Sequence, residues 1–449
     1  MSTITKYGIY YPIQWLRREP VRKCLRMLQE SQWYAPDQLA PRQWEDLRGT
    51  VLHAMMSVPY YQHSFQEAGV TPGSFKGPED IRRLPILTKT ALREHADALL
   101  SRDYRGPLSS KTTGGSTGEA VTIIKDRTVT AYARGAMWRN YAWWGIDIGD
   151  RQGRFWGVPI TSSQRFKYKI VDRLSNRIRF SSFNFSDDDL LAYYQRLKRF
   201  RPHYLYGYAS MTYEFAAFIR RHSLEFSVPL AVTTAEILYP HQRDLIQEVL
   251  HCQTVNEYGC GEVGPLACEC PEGRMHLMAD YLYIEILKED GSPAGPGEIG
   301  EMVITELHSR AMPLIRYQIM DYVEVGDERC PCGRGLPLIR QVIGRQYDYL
   351  FSPSGQRFHG EKVMYLLERL HDLKIGVRQM QVTQKTFSQL KIKVVRDKDF
   401  QAKALDIMRV YFREALGQQL HIEFQMVDQI PRERSGKIRL VICDLPNAA

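Results

Sequence analysis

The sequence contains no long apolar run and no recognisable leader. Its 449 residues include no stretch of about eighteen consecutive apolar residues, the length that a membrane-spanning helix needs. The opening MSTITKYGIYYPIQWLRREP also lacks the apolar core and the small-residue cleavage site of a signal peptide. We therefore expect a cytoplasmic protein without a transmembrane segment.

Internal repeats and low-complexity tracts are absent, and so is a strong excess of one charge. The formal net charge is +9, but the basic residues are scattered among 51 acidic ones. This mixture argues against a dedicated nucleic-acid face. It is about as compatible with a basic cleft that binds anionic substrates. Eight cysteines in a cytosolic chain do not predict a disulfide framework.

The segment WLRREPVRKCLRMLQESQWY, residues 15–34, mixes aromatic and basic side chains. Two interpretations are open: an ordinary surface helix packed on the core, or a segment that rests on a membrane surface.

Helical and strand-like segments alternate along most of the chain. The first hundred residues read as helical, and SDDDLLAYYQRLKRF from Ser186 predicts a helix that has a serine N-cap and ends before Pro202. Strand-like runs follow at 281–287 and 301–305. This alternation predicts a large α/β unit.

After about residue 345 the pattern begins again. A helical segment at 360–373 precedes a hairpin pattern, MQVTQKTFSQLKIKVVRD, a second helix ending at Gly417, and the strand QLHIEF. We expect a compact α+β module over 344–449 and a larger unit over 1–343.

The segment KTTGGSTGEAVTII is rich in glycine and hydroxyl groups and runs into a β-branched strand pattern. Glycines let backbone N–H groups approach an anion, and the hydroxyl groups add donors, so this loop could hold phosphate oxygens. It lacks the Gly-Lys-Ser/Thr ending of a P-loop. Taken alone, it could equally be a polar turn.

Further motifs follow in a fixed order: NEYGCGEVG, AMPLIRYQIMDYVEV, GRQYDYL and IPRERSGKIRL. Together with TTGGSTGE they resemble the adenylate-forming superfamily of acyl-CoA synthetases. The SVPYYQ…LPILTK opening is similar to that of phenylacetate–CoA ligases and of their relatives in capsular-polysaccharide clusters, so the resemblance covers nearly the whole chain.

The resemblance implies a large adenylate-forming α/β unit, a small mobile α+β C-terminal domain, and roles for single residues. Glu262 would hold Mg²⁺, Tyr258 would stack on adenine, and Asp321 would accept hydrogen bonds from the ribose hydroxyls. The phosphate loop would consist of Thr112, Thr113, Gly114, Gly115, Ser116, Thr117 and Gly118. Without the resemblance, Glu262 would read as a surface glutamate and Tyr258 as a core residue.

The C-terminal motifs carry two further implied roles. Lys437 would reach between the carboxylate of the acid and the α-phosphate as charge develops there. Without the resemblance, a lysine among arginines would be interpreted as part of a solvated surface. Arg345 and Asp348 fall in the segment that resembles the interdomain hinge, and Arg345 would belong to the nucleotide site or to a structural ion pair.

Four residues could form a metal site. Cys270 with His276, and Cys330 with Cys332, place nitrogen and sulfur ligands on two short segments, as a tetrahedral zinc requires. Four protein ligands leave no position for substrate, so this zinc would be structural, as in members of the family. Cys268 competes for one ligand position, and reduced packing cysteines are the alternative.

The sequence departs from the family pattern at four positions. Glu119 replaces a basic residue after the phosphate loop, Gly261 replaces a hydroxyl residue before Glu262, Met320 replaces a glycine before Asp321, and Tyr347 replaces an acidic hinge residue. These differences bear on the geometry of the nucleotide site and on domain rotation.

The resemblance implies an enzyme that converts a carboxylic acid and ATP into an acyl-AMP and then forms a thioester with coenzyme A. Two alternatives stay open: acyl transfer to a carrier protein, sugar or amine in polysaccharide or secondary-metabolite synthesis, and a non-catalytic zinc-stabilised binding protein. No nucleic-acid partner is expected, and a homodimer is conceivable. The aromatic segments RFWGVP and YGYAS could line a flat acid pocket or belong to the core.

Overall fold

The computed structural model describes most of the chain. The described residues are 3–112, 121–156, 162–181, 186–327, 329–345, 349–354, 357–359, 363, 366–367, 369–370, 373–431 and 439–445. They divide into two compact units. The larger unit spans residues 1–238 and 245–342, and the smaller spans 239–244 and 343–449.

The first hundred residues are helical, as predicted. A π-helical turn at Ile4–Tyr10 and a 3₁₀ helix at Pro78–Arg83 accompany five α-helices. These helices are α1 Tyr11–Leu16, α2 Val21–Ser31, α3 Pro36–Ser57, α4 Pro59–Glu67 and α5 Lys89–Glu94.

A two-stranded hairpin follows, formed by β1 Leu108–Thr112 and β2 Thr122–Asp126. The strand predicted after the glycine-rich loop is therefore present. Five more helices accompany the strands of the next region: α6 Arg127–Ala142, α7 Ser162–Leu174, α8 Asp187–Phe200, α9 Ala209–Arg221 and α10 Pro240–Leu250.

In the described part of the larger unit, eleven strands form one sheet in the order β10-β11-β12-β13-β9-β8-β7-β6-β5-β3-β4. Strands β4, β3, β5, β6 and β7 pair in parallel, and β8 runs antiparallel to β7. The strands are β3 Gln152–Phe155, β4 Arg177–Phe180, β5 Tyr204–Tyr208, β6 Leu230–Thr234, β7 Gln253–Cys260, β8 Gly264–Glu269, β9 Met275–Leu277, β10 Leu282–Leu287, β11 Ile299–Glu306, β12 Tyr317–Val325 and β13 Leu338–Arg345. The α/β prediction for this unit is confirmed.

Helix α8 begins as its sequence predicts. Ser186 accepts a hydrogen bond from the Asp189 N–H, and the Asp189 carboxylate accepts one from the Ser186 N–H in return. This capping box satisfies two N–H groups that a helix start otherwise leaves without partners. The buried face of this helix is formed by Leu190, Tyr194 and Leu197, whereas Leu191 lies outside that row and is 39% exposed.

The smaller unit has a four-stranded sheet in the order β18-β17-β16-β19 and a short hairpin. The hairpin and the second helix predicted from the sequence are present, and Met408 and Phe412 of that helix are fully buried. Most of the helix predicted at 360–373 falls outside the described residues. The elements are β14 Tyr349–Phe351, β15 Arg357–His359, β16 Val377–Thr386, β17 Gln389–Arg396, α11 Lys403–Leu416, β18 His421–Val427 and β19 Val441–Cys443.

Among the described helices, none combines the length and the apolar character that crossing a bilayer requires.

Candidate active site

The glycine-rich loop joins the two strands of the β1–β2 hairpin. Thr112 is the last residue of β1, and its Oγ1 lies 3.0 Å from Oγ1 of Thr122 on β2. This contact joins the two ends of the loop. The other proposed phosphate-loop residues, Thr113, Gly114, Gly115, Ser116, Thr117 and Gly118, lie outside the described residues.

Buried charges fix the base of the hairpin. Lys125 Nζ of β2 lies 2.5 Å from Oε1 of Glu306 on β11, and both side chains are buried. Burial raises the pKa of Glu306, whereas the Lys125 ammonium opposes that shift. The Asp126 carboxylate accepts hydrogen bonds from the N–H groups of Thr128 and Arg310. The hairpin is therefore anchored both to α6 and to the chain that follows β11.

The end of β7 carries the most direct contact between two predicted nucleotide residues. The Tyr258 hydroxyl donates a hydrogen bond of 2.8 Å to Oδ2 of Asp321, which lies on β12 and is 8% exposed. In open α/β sheets, ligands bind outside the carboxyl ends of the parallel strands. Tyr258 lies near the carboxyl end of β7, which is the last of the parallel strands, so the contact lies near such an end.

Glu262 lies in the tight turn between β7 and β8. At Gly259 a Cβ atom would come within 2.6 Å of the Gly264 carbonyl oxygen, so the close approach of the two strands requires glycine there. The Glu262 side chain is half-buried, and it makes no hydrogen bond or ion pair with any residue that the structure describes. An unpaired carboxylate of this kind suits a hard cation such as Mg²⁺.

Two further ionisable groups lie near Glu262. Burial raises the pKa of the Cys260 thiol to about 12, and the nearby Glu262 carboxylate adds to the effect, so this thiol stays protonated at neutral pH. Desolvation lowers the pKa of Lys111, although Cys260 and Glu262 favour its charged form. The Lys111 ammonium therefore brings positive charge to the side of the turn where Glu262 lies.

Backbone strain occurs directly before Asp321. Met320 has φ +64°, in the left-handed region that suits glycine. The family pattern has glycine at this position, and the backbone adopts the conformation that glycine would take. Arg316, four residues earlier, forms a buried two-point ion pair with Glu285 at 3.0 and 3.1 Å. This pair holds the start of β12 to β10.

A polar and aromatic cluster lies where the strand order reverses. Strand β4 lies on one side of β3, and β5, β6 and β7 follow on the other, which makes the carboxyl ends of β3 and β5 a topological switch point. The Arg154 guanidinium lies 4.7 Å from the ring centroid of Trp156 and 4.9 Å from that of Tyr206. Within the described chain it has no hydrogen-bond or ion-pair partner.

Glu257 lies beside this cluster and directly precedes Tyr258. It is 7% exposed and accepts a hydrogen bond of 3.3 Å from the Tyr206 hydroxyl. Burial raises its pKa, although the hydroxyl groups of Tyr141 and Thr234 favour the charged form. A carboxyl group therefore lies among hydroxyl groups next to the proposed nucleotide residues.

The four predicted metal ligands converge. One ligand atom from each of Cys270, His276, Cys330 and Cys332 lies within 4.8 Å of the others. The Cys270 and Cys330 sulfur atoms are 3.6 Å apart, and Cys332 Sγ is 3.2 Å from His276 Nε2. Ligands of a tetrahedral zinc would be separated by about 3.8 Å for two sulfurs and about 3.5 Å for sulfur and nitrogen. For these two pairs, shifts of a few tenths of an ångström would thus accommodate the ion, and no pair of ligand atoms exceeds 4.8 Å.

The environment of His276 also suits a ligand. Its Nδ1 lies 3.0 Å from the Leu336 carbonyl oxygen, which selects the tautomer that leaves the Nε2 lone pair free to bind a metal. Burial lowers its pKa to about 4, so the ring is neutral at neutral pH. Cys268 is fully buried on β8, and its Sγ does not belong to this group of four atoms.

The predicted site residues of the C-terminal motifs, Lys437 and Arg345, cannot be placed from the described side chains. Lys437 lies outside the described residues, as do Tyr347 and Asp348, and the side chain of Arg345 is also outside them. The roles suggested for these residues stay predictions.

Comparison with known proteins gives a family for the smaller unit and relatives for the whole chain. Residues 350–444 match the CapK C-terminal domain. The phenylacetate-coenzyme A ligase of Thermus thermophilus is 25% identical over 433 residues, which cover 90% of this chain and 96% of the relative. Protein CapK of Staphylococcus aureus is 25% identical over 381 residues, which cover 81% of this chain and 80% of the relative.

The predicted resemblance is confirmed. It is to the adenylate-forming superfamily and, within it, to the phenylacetate–CoA ligase branch and its CapK relatives. Among solved structures, 2-hydroxyisobutyryl-CoA ligase in the postadenylation state with R3-HIB-AMP superposes with a TM-score of 0.74 at 20% identity, over 92% of this chain and 91% of that chain. This likeness confirms the adenylate-forming fold with its separate C-terminal domain.

Sequence reasoning missed several residues of the site. Lys125 and Glu306 are far apart in sequence and belong to no motif, so only the folded chain brings them together. Glu257 lies within a quoted motif, and a charged residue two positions after the apolar Val255 in a strand was the signal that could have drawn attention to it.

Proposed function

We propose that this protein is an AMP-forming acid–thiol ligase, which activates a carboxylic acid with ATP and passes the acyl group to coenzyme A. The hydrogen bond between Tyr258 and Asp321 is the observation that carries the proposal, because it joins two residues of separate motifs beside the Glu262 turn. The name of the Thermus thermophilus relative supports it, since that protein is a phenylacetate-coenzyme A ligase.

In the first step, a carboxylate oxygen of the acid attacks the α-phosphorus of ATP. A new oxygen–phosphorus bond forms, the bond to the β-phosphate bridging oxygen breaks, and pyrophosphate leaves. Asp321 would accept hydrogen bonds from the ribose hydroxyls, and the Tyr258 ring would lie against adenine. The loop from Thr112 to Gly118 would hold the phosphates, and the Lys437 ammonium would stabilise charge at the α-phosphate.

Glu262 is the proposed Mg²⁺ ligand. Its carboxylate has no hydrogen-bond or ion-pair partner among the described residues, and it acts electrostatically on Lys111 of β1, the strand that leads into the glycine-rich segment. When bound, the ion would neutralise charge on the triphosphate. Lys111, whose pKa desolvation lowers, would add a second positive charge on the same side.

In the second step, the sulfur of coenzyme A attacks the acyl carbon, AMP leaves, and the thiol loses its proton. We assign the small C-terminal domain the role of a lid that removes Lys437 from the site after adenylation. A conformational step of this kind would contribute to the turnover rate.

The acid would lie in the crevice at the switch point, against Trp156 and Tyr206. A pocket for a purely aryl or fatty chain has no use for Arg154, which has no hydrogen-bond or ion-pair partner among the described residues, or for Glu257, a buried carboxyl among hydroxyls. These two side chains favour an acid that carries hydroxyl groups, since a hydroxyl can donate to Glu257 and accept from Arg154.

The four-residue cluster is proposed to bind a structural zinc. Its ligands come from the residue after β8, from β9 and from the segment before β13, so the ion would join three parts of the larger sheet. Four protein ligands would complete its coordination and leave no position for substrate.

An alternative acceptor is a carrier protein, a sugar or an amine. The similarity to Protein CapK and to the CapK C-terminal domain favours keeping this candidate. A role in polysaccharide synthesis, a cytoplasmic location and a homodimer stay predictions. A non-catalytic binding protein is the least favoured, because Glu262, Asp321 and Lys437 are all present.

The test is product analysis over a panel of hydroxylated, aryl and fatty acids, with and without coenzyme A. Pyrophosphate release without coenzyme A and an acyl-CoA product with it would support the proposal. An adenylate that reacts with an amine or a sugar but not with coenzyme A would favour the alternative acceptor. Preference for aryl or fatty acids would refute the hydroxylated-acid assignment while leaving the ligase assignment intact.

A further inference from the structure

The N-terminal residues form an outward-facing layer on the larger unit. Helix α2 buries Val21, Cys24, Leu25 and Leu28, while Arg22, Lys23 and Arg26 on its other side are exposed. The packed-helix interpretation thus describes one face of α2, whereas the opposite face carries exposed basic side chains, of which Arg22 lies 5.8 Å from the ring centroid of Tyr11.

Four large apolar side chains are exposed in this layer, and two of them, Tyr7 and Trp15, line the same depression. Trp15 is 76% exposed, Leu16 72%, Ile4 71% and Tyr7 53%. Single exposed apolar residues are ordinary, but a contiguous group rimmed by polar residues marks an interaction surface. Adjacent exposed tryptophan and leucine side chains suit the boundary between headgroups and acyl chains.

Basic side chains surround these apolar ones. Arg17, Arg18, Arg22, Lys23 and Arg26 are exposed, and none forms an ion pair with a residue in the described ranges. The acidic Glu19 does not neutralise them, since it is buried and pairs with Arg127 and Arg134. The layer therefore keeps an uncompensated positive charge.

A depression of about 920 Å³ brings the two kinds of side chain together. Its lining includes Tyr7, Tyr11 and Trp15 as well as Arg22 and Arg26. Aromatic walls with a basic rim fit an anionic headgroup that continues into apolar chains better than a free anion, which has no use for the aromatic surface.

We propose that this N-terminal patch docks the protein on an anionic bilayer surface, with Trp15 and Leu16 entering the interface and the basic side chains contacting lipid phosphates. The patch consists of Ile4, Tyr7, Trp15, Leu16, Arg17, Arg18, Arg22, Lys23 and Arg26. Binding would be peripheral and reversible. The surface charge of the membrane attracts basic residues within about a Debye length, so the interaction would weaken with salt.

Vesicle co-sedimentation of the full-length protein tests this proposal. We expect binding to vesicles of phosphatidylcholine and phosphatidylglycerol in equal parts, at least about tenfold weaker binding to phosphatidylcholine alone, and loss of binding between about 0.1 M and about 1 M salt. The double variant Trp15→Ala/Leu16→Ala and the double variant Arg17→Gln/Arg18→Gln should each weaken binding by about tenfold or more.

Phe387→Ala is the matched control, because Phe387 is 44% exposed on the smaller unit and lies outside the patch. It should bind vesicles like the wild type, and equal melting temperatures of all variants would exclude unfolding as the cause. Equal binding to neutral vesicles, no binding at all, or unchanged binding by the Trp15→Ala/Leu16→Ala variant would overturn the proposal. So would a dimer that this variant abolishes, which would make the patch an interface between two copies, or displacement by millimolar inorganic phosphate.

Discussion

Replacing Cys330 by serine tests the cluster of Cys270, His276, Cys330 and Cys332. The substitution keeps the size of the side chain and removes one soft ligand, so it should abolish tight zinc binding without disturbing packing. His276 is fully buried and already hydrogen-bonded through Nδ1, so the other ligands cannot move far to replace the lost sulfur.

The size of the effect follows from linkage. A metal present at about a thousand times its dissociation constant stabilises the folded state by about 4 kcal/mol. For a unit of roughly 340 residues, the unfolding entropy is about 0.7 kcal/mol per kelvin, so this loss lowers the melting temperature by about 6 °C.

Elemental analysis and thermal melting of protein purified without chelator provide the assay. We expect about one zinc per wild-type chain, little in Cys330→Ser, and retained zinc in the control Cys268→Ser, whose sulfur lies outside the group. Wild-type protein free of transition metal, or Cys330→Ser with full zinc content, would refute the reasoning and return the four residues to ordinary packing.

Four further predictions concern catalysis, strain and acidity. Lys437→Ala should slow acyl-AMP formation by at least about 10²-fold with ATP affinity nearly intact, and unchanged pyrophosphate release would refute its role. Glu262→Gln should raise the Mg²⁺ concentration needed for half-maximal activity, and full activity in Mg²⁺-free, EDTA-treated assays would contradict the assignment. In urea unfolding, Met320→Gly should change the free energy of unfolding by no more than about 1 kcal/mol. Met320→Val should lower it by about 1–2 kcal/mol, because a β-branched residue resists φ +64°. Equal effects of the two substitutions would show that the backbone at Met320 is not strained. Burial lowers the pKa of His308 from about 6.5, its value in an unfolded chain, to about 4. Between these pH values the unfolded state binds one proton more than the folded state, so the free energy of unfolding should fall by up to about 3 kcal/mol as pH decreases from about 6.5 to about 4. Replacing His308 by Gln should reduce the pH dependence of the urea midpoint over that range. An unaltered pH dependence would contradict the assignment of this effect to His308.

Much of the fold could be predicted because local signals and tertiary structure agree. The capping box of Ser186 and Asp189 and the glycine that ends α11 specify their helices without help from distant residues. The hairpin of β16 and β17 has the alternating pattern of a half-buried sheet. The order of the strands in the large sheet could not be predicted, since it depends on contacts between residues far apart in sequence.

The candidate site, like the fold, could be predicted from the sequence only in part. Tyr258, Glu262 and Asp321 stand in recognisable motifs, but the hydrogen bond between Tyr258 and Asp321 joins two strands, β7 and β12, that are separated by three others in the order of the sheet. Arg154 carries no motif, and only the reversal in strand order places it beside Tyr206. The metal cluster was predictable from ligand spacing, whereas the choice of Cys270 over Cys268 depends on which sulfur atom lies near Cys330, which only the folded chain shows.

An AMP-forming ligase cleaves ATP between its α- and β-phosphates. Chromatography of the nucleotide products, after incubation with ATP, Mg²⁺, coenzyme A and the preferred acid of the panel, measures this cleavage directly. We expect AMP and pyrophosphate in equal amounts, formed only when acid is present and nearly absent with Lys437→Ala. ADP and phosphate as products, or no nucleotide cleavage with any acid of the panel, would contradict the ligase assignment.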